Sequence, residues 1–215
     1  MDTTYLFIIY IIAAYLIGAI ATSIWIGRIF YGKDVRTIGS GNAGATNTYR
    51  AFGRTTAIAV LLIDIAKGSI AVNIPAISSV LFNTPPLHFN ELEYPELVLG
   101  LAAVFGHIFP VYEKFKGGKG VATFLGIAIG IDMMVALICI NVFAIVFLLY
   151  KKVSASSIIS GIAFGVSLLI MKHPWNIIDN IIIIIYPLLI IYTHRANIKR
   201  LIKGEEPDFT FRKKK

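Results

Sequence analysis

Two stretches of this chain carry too little charge to fold in water. Tyr5 to Ile29 holds Arg28 as its only charged residue, and Asn180 to Thr193 holds none. About 20 residues at 1.5 Å rise cross the hydrocarbon core of a bilayer, so an apolar run of roughly 18 or more is a membrane-helix candidate. The composition agrees: 57% of the residues are hydrophobic, 15% are charged, and the mean hydropathy is +0.77. A soluble domain carries about 25% charged residues. The expected fold class is all-α, a polytopic integral membrane protein. The first run is not expected to be a cleaved signal peptide, because Asp2 and no Lys or Arg precedes it and it exceeds an h-region in length. The single cysteine, Cys139, lies inside an apolar run and reads as a buried structural thiol.

Seven spans are expected, near Thr4–Ile29, Thr55–Leu81, Leu97–Tyr112, Val121–Ile131, Met133–Leu149, Ser154–Met171 and Trp175–Thr193. The fourth is too short to cross alone unless Gly117–Gly120 begin it below the interface. The fourth and fifth are divided only by Gly130 and Asp132. Charge orients the array. Lys33, Arg36, Arg50 and Arg54 fill the first loop, Lys114, Lys116 and Lys119 the third, and Lys151 and Lys152 the fifth. The tail adds Arg195, Lys199, Arg200, Lys203 and Arg212 to Lys215. Seven spans put all of these on one side, opposite Glu91, Glu93, Glu96, Asp132, Lys172 and Asp179. Six would split the tail from the earlier basic loops. Positive loops stay in the cytoplasm, so the N-terminus is expected outside and the C-terminus inside. No repeat or linker divides the chain. The expectation is one helical membrane domain over 1–215, with a basic cytoplasmic tail at 196–215.

Basic loops alone could be topology signals with an affinity for anionic lipid. Their neighbours argue for more. "GSGNAGATN" contains Gly39, Gly41 and Gly44 in the spacing G-x-G-x-x-G, with Asp64 following Gly44 by 20 residues. A dinucleotide fingerprint requires a strand before it and a βαβ unit around it; here a membrane span precedes it, and Asp64 lies in the next apolar run. The nucleotide reading fails on context. The glycines can still let backbone N–H groups converge on an anion. Ser40, Asn42, Thr46 and Asn47 add donors, and Arg50 adds a fork suited to phosphate. The competing reading is a tight re-entrant turn whose polar groups satisfy one another.

"KFKGGKG" is not a Walker loop, which would need glycine at Glu113 and a hydroxyl at Gly120. Lys116 and Lys119, on a turn made flexible by Gly117 and Gly118, remain as a second anion contact. His88 and His173 fall on the outer side and read as solvated. His107 and His194 end the third and seventh spans on the basic side, beside both glycine-rich loops. No H-E-x-x-H or cysteine–histidine cluster occurs, so no metal site is expected. An H-x-x-x-x-D acyltransferase motif fails because Tyr112 stands where aspartate is required. Asp64 and Lys67 share a helix face three residues apart. Ionisable groups inside a membrane are expensive and usually face an interior, so mutual pairing that braces the site is the favoured reading.

Four segments together, "GSGNAGATNTYR", "GHIFPVYEKFKGGKGVAT", "VSASS" and "HRANIKRLIKGEE", resemble in order and spacing the bacterial acyl-phosphate glycerol-3-phosphate acyltransferase family, PlsY. The likeness covers essentially the whole chain. It implies transfer of a fatty acyl group from acyl phosphate to the 1-hydroxyl of sn-glycerol 3-phosphate, giving lysophosphatidic acid and inorganic phosphate. It also implies a bacterial plasma-membrane location, a cytoplasmic active site, and need of neither coenzyme A nor a metal. Carried over by motif, Ser40, Asn47 and Arg50 belong to the first site segment, and Lys119 to the second. Ser154 and Ser157 belong to the third, and His194, Asn197 and Glu206 to the fourth. Ser40, Arg50, Lys119 and His194 are assigned to catalysis. Gly41, Asn42, Gly44, Thr46, Asn47, His107, Gly117, Gly118, Ser154, Ser157, Asn197 and Glu206 are assigned to substrate binding.

The residues fit that chemistry. Both substrates carry phosphate, and a long acyl chain gains about 0.8 kcal/mol per buried CH₂, so it belongs between helices or in lipid. Acyl phosphate is already activated, and the enzyme chiefly positions the hydroxyl and stabilises charge. His194 and a donor phosphate oxygen are both competent to take the hydroxyl proton. No serine sits in a nucleophile elbow, which disfavours an acyl-enzyme. A transporter of organic phosphates would also explain spans and anion loops, but transporters bind near the midplane, often across repeats. A lipid-associated scaffold, or an acyltransferase using acyl-CoA or acyl carrier protein, are the other readings.

Overall fold

The computed structural model describes residues 3–85, 87, 92–172 and 176–210. His88, Glu91, His173, Trp175 and Arg212 to Lys215 lie outside them. The described chain is all-helical, in the order α1 (Thr3–Gly18), α2 (Thr22–Tyr31), α3 (Ala45–Phe52), α4 (Arg54–Val72), α5 (Ile74–Phe82), α6 (Pro95–Ile108), α7 (Val121–Ile131), α8 (Met133–Tyr150), α9 (Val153–Met171), α10 (Ile177–Thr193) and α11 (Arg195–Ile202). Long apolar runs become helices because a bilayer offers no water to a bare N–H or C=O, and a helix satisfies them within one segment. Among the described residues, α4, α8, α9 and Pro95–Glu113 are long and apolar enough to cross a membrane. Two bent pairs also qualify if each is one span, α1 with α2 at 41° and α10 with α11 at 62°. α7 is a shorter apolar helix.

Two expected spans differ from this. The first, Thr4–Ile29, is divided at residues 19–21. The reason lies on α4: Lys67 Nζ donates to the Ile20 carbonyl at 3.0 Å, and Thr22 Oγ1 donates to Asp64 Oδ1 at 2.9 Å. At the break the buried ion pair takes up one backbone carbonyl and one side-chain hydroxyl. The second, Thr55–Leu81, is divided at Asn73. Pro75 lacks an N–H and its ring clashes with the carbonyl four residues back, so α4 ends at Val72, and Asn73 Nδ2 donates to the Ser69 carbonyl at 2.9 Å. Between α7 and α8 the expected break is present. Asp132 caps α8, its Oδ1 accepting from Met134 N at 2.8 Å.

Helices pack by backbone approach, as expected where lipid is as apolar as leucine and contact geometry decides association. A Cβ on Gly68 would lie 2.2 Å from the Thr123 carbonyl oxygen, and one on Gly126 1.9 Å from that of Ile65. Only glycine admits α4 and α7 this close. The centre is closed by Phe124, Phe164 and Tyr186, whose rings meet edge to face. The periphery is the reverse, with Leu62, Val80, Leu148 and Ile170 exposed, a surface suited to lipid. Asp64, Lys67 and His107 are buried instead, and they stand beside the cavity described next.

Candidate active site

The first glycine-rich loop is built around Asn47, which is 1% exposed. Its Nδ2 donates to the carbonyls of Val35 and Ile38, both at 2.9 Å, and its Oδ1 accepts from Ser40 N at 2.9 Å. Gly39 and Gly41 turn the chain at φ +60° and +71°, and a Cβ on Gly39 would lie 2.5 Å from Asn47 Oδ1. Both amide hydrogens of Asn47 are spent on the loop. Asn47 therefore shapes the loop, and its residue also lines the cavity described below. Arg50 projects from α3, exposed, and donates no hydrogen bond among the described residues.

A charge cluster ties this loop to the second one. Glu113 Oε1 accepts from Arg28 at 2.8 Å and Trp25 Nε1 at 3.1 Å, and Arg36 pairs with Glu113 Oε2 at 3.2 Å. Arg36 also donates to the Lys116 carbonyl at 2.9 Å. Beyond this brace, Gly117 N donates to the Ile108 carbonyl at 3.0 Å and Gly118 N to that of His107 at 3.1 Å. A Cβ on Gly118 would lie 2.3 Å from His107 Nε2 and 2.5 Å from the Ala43 carbonyl. Gly117 and Gly118 are not among the residues lining the cavity; they pack closely on the end of α6, and Lys119, next in sequence, lines it. Lys116 is exposed and also lies away from it. His107 lines the cavity, with Nδ1 3.2 Å from Thr123 Oγ1 and 3.9 Å from Asp64 Oδ1. Asp64 itself pairs with Lys67 at 2.7 Å.

The last two segments meet on Glu206. Its Oε1 accepts from Ser154 Oγ at 2.6 Å and Asn197 Nδ2 at 2.7 Å, and its Oε2 from Arg200 Nε at 2.7 Å. Burial works to raise the Glu206 carboxyl, but these three hydrogen bonds outweigh it and hold the group below the usual carboxylate range. Lys152 Nζ donates to the Glu206 carbonyl at 2.6 Å, and Phe209 N to the Lys151 carbonyl at 2.8 Å. The tail thus lies back across the start of α9. Lys119 Nζ donates to Asn197 Oδ1. Burial lowers Lys119 to about 8, with the Arg200 and Arg50 charges adding to that and Glu206 opposing it.

His194 sits at the 62° bend between α10 and α11 and is 2% exposed. Its Nδ1 lies 2.9 Å from the Ile190 carbonyl. A carbonyl only accepts, so Nδ1 carries the proton and the neutral ring keeps its lone pair on Nε2. Ser157 Oγ donates to the Val153 carbonyl at 2.8 Å while its residue lines the cavity.

One cavity of about 800 Å³ joins these parts. Its polar wall holds Ser40, Gly41, Asn42, Gly44, Thr46, Asn47, Arg50, His107, Lys119, Ser154, Ser157, His194, Asn197 and Glu206. Its lining also includes the apolar side chains Leu61, Leu125, Ile140, Phe143 and Phe164. Two charged members of the lining, Asp64 and Arg200, are not among the residues assigned to the site from sequence. A signal existed for Arg200: His194, Asn197 and Arg200 recur every third residue, which places them on one helix face. Among the described residues no three His, Cys, Asp or Glu side chains converge as a metal seat.

Fold and site together define a polytopic helical membrane protein whose cavity combines phosphate-suited donors with an apolar slot. The family model for glycerol-3-phosphate acyltransferase matches residues 8–204. The glycerol-3-phosphate acyltransferase of Macrococcus caseolyticus is 39% identical over 203 residues, covering 94% of this chain and 97% of that one. The enzyme of Chlorobaculum parvum is 42% identical over 229 residues, covering 95% and 97%. Among solved structures, the glycerol 3-phosphate form of PlsY (YgiH), an integral membrane glycerol 3-phosphate acyltransferase, is similar at TM-score 0.83 and 37% identity, covering 95% of this chain and 96% of that one. Its lysophosphatidic acid form is similar at TM-score 0.80 and 36% identity. This chain belongs to the glycerol-3-phosphate acyltransferase family.

Proposed function

We propose that this protein transfers a fatty acyl group from acyl phosphate to the 1-hydroxyl of sn-glycerol 3-phosphate, releasing lysophosphatidic acid and inorganic phosphate. The observation that carries the reading is the mixed lining of one cavity: Arg50, Lys119, Arg200 and the Ser40 loop together with apolar side chains such as Leu61, Ile140 and Phe164. Such a site suits a phosphate head on a long chain, together with a second, small phosphate. Likeness to the glycerol 3-phosphate and lysophosphatidic acid forms of PlsY supports the acceptor and the product.

Ser40, Arg50 and Lys119 hold phosphate, while His194 and Asn197 orient glycerol 3-phosphate. The acceptor hydroxyl oxygen attacks the acyl carbonyl carbon, and the carbon–oxygen bond to phosphate breaks. The hydroxyl proton passes to His194 Nε2 and from there to the departing phosphate. Arg50 and Lys119 stabilise the charge that develops on that phosphate. With both bent helix pairs counted as spans and α7 as a short seventh, the basic loops share one face. That face is cytoplasmic by the positive-inside rule, in a bacterial plasma membrane.

The test supplies purified protein with labelled glycerol 3-phosphate and, separately, acyl phosphate, acyl-CoA or acyl carrier protein, each with and without chelator. Lysophosphatidic acid formed only from acyl phosphate, and untouched by chelator, is the expected result. Product from acyl-CoA or acyl carrier protein alone overturns the donor. Uptake into liposomes without product overturns the reaction.

A further inference from the structure

Along α9 the cavity lining ends at Phe164, an aromatic floor on that helix. Along α9 the lining residues include Ser154, Ser157, Ser160 and Phe164, a single face that changes from polar to apolar with depth. Phe164 is 2% exposed. Its ring is held edge-on by Tyr186 at 5.1 Å and by Phe124 at 6.2 Å. Tyr186 is anchored in turn, its hydroxyl donating to the Leu97 carbonyl at 2.6 Å. On the facing helix, the Cys139 carbonyl accepts from Ser160 Oγ at 2.9 Å and stitches α8 to α9 just above this floor.

We infer that Phe164 is the residue that sets the acyl chain length this enzyme accepts, by closing the slot at a fixed depth below the phosphate-binding residues. This rests on the acyl-transfer reading above. The ten helical steps from Ser154 to Phe164 span roughly 15 Å at 1.5 Å per residue. Carbon–carbon bonds of about 1.5 Å zigzag to an advance of roughly 1.3 Å per methylene. About a dozen methylenes therefore run straight before reaching the ring, and a longer chain must fold back or leave sideways. The aromatic packing makes the floor stiff, because the Phe164 ring is clasped by two others, one of which, Tyr186, is tied to a backbone carbonyl.

The test measures kcat/KM with lauroyl, myristoyl, palmitoyl, stearoyl and arachidoyl phosphates in the full-length protein and two variants. Phe164→Leu lowers the floor and moves the optimum about two carbons longer. Ala144→Phe, at an exposed lining position higher on α8, raises an obstruction and moves the optimum shorter. Each methylene it excludes from the slot costs about fourfold in kcat/KM. Retained turnover of the shortest donor by Ala144→Phe separates a changed slot from a misfolded protein. Unchanged profiles in both active variants overturn the inference and mean that the chain leaves between the lipid-facing Leu61 and Ile140. Absence of acyl transfer by the unsubstituted protein with every donor is a different outcome, and defeats the reaction itself.

Discussion

The Lys119 ammonium donates to the amide oxygen of Asn197, joining the second glycine-rich loop to α11 across 78 positions of sequence. The same Asn197 donates through Nδ2 to Glu206. One amide therefore orients the cation and fastens the tail. Asn197→Ala releases both. Hydrogen bonds to charged groups contribute about 1.5–3 kcal/mol, so the KM for glycerol 3-phosphate rises by at least about tenfold. Steady-state kinetics on the purified variant checks it, and Asn197→Asp, which repels Glu206, does no better.

Lys119 sets a pH limit. Its lowered value of about 8 leaves it charged below that pH and neutral above it. If the charged form binds phosphate, kcat/KM falls about tenfold per unit as pH rises beyond about 8. Lys119→Arg, whose guanidinium stays protonated, removes that limb while lowering the maximum. A pH profile unchanged by Lys119→Arg refutes the assignment.

His194→Ala removes the ring proposed above to take the hydroxyl proton at Nε2. Positioned acid–base groups contribute about 10²–10⁴-fold, so kcat falls by that order and KM stays within a few-fold. Full activity with unchanged affinity sinks the role. His194→Gln, which can keep a donor to Ile190, does not restore the proton acceptor.

Asn47 tests shape against contact. Asn47→Ala leaves the Val35 and Ile38 carbonyls with only their turn hydrogen bonds from Ile38 N and Gly41 N, and leaves Ser40 N without its acceptor. Leaving buried polar groups unpaired costs about 1–3 kcal/mol. The expected result is loss of affinity for both phosphate substrates together, with a lowered melting temperature. A selective effect on one substrate would restore Asn47 as a direct contact.

The Asp64–Lys67 pair carries the bend between α1 and α2. Lys67→Met strands a buried carboxylate and frees the Ile20 carbonyl. Breaking a buried pair on one side costs about 3–5 kcal/mol, read as a large drop in thermal stability in detergent. Asp64→Asn combined with Lys67→Met recovers part of it, because the lone charge is gone.

Much of this protein was legible in one dimension. Apolar runs longer than a soluble helix allows specify membrane helices, and the order of polar residues between them, from Ser40 and Arg50 to His194 and Asn197, points to phosphate chemistry. These are properties of composition and local spacing, and the bilayer enforces them. Only the tertiary structure decided that Asn47 braces the loop, that Gly117 and Gly118 pack on His107, that Arg200 joins Glu206, and that Lys67 divides the first apolar run. Each depends on which atom lies within about 3 Å of which, across tens of intervening residues. A polar side chain's role is set by whether its hydrogen bonds are already spent on protein, and no local pattern records that.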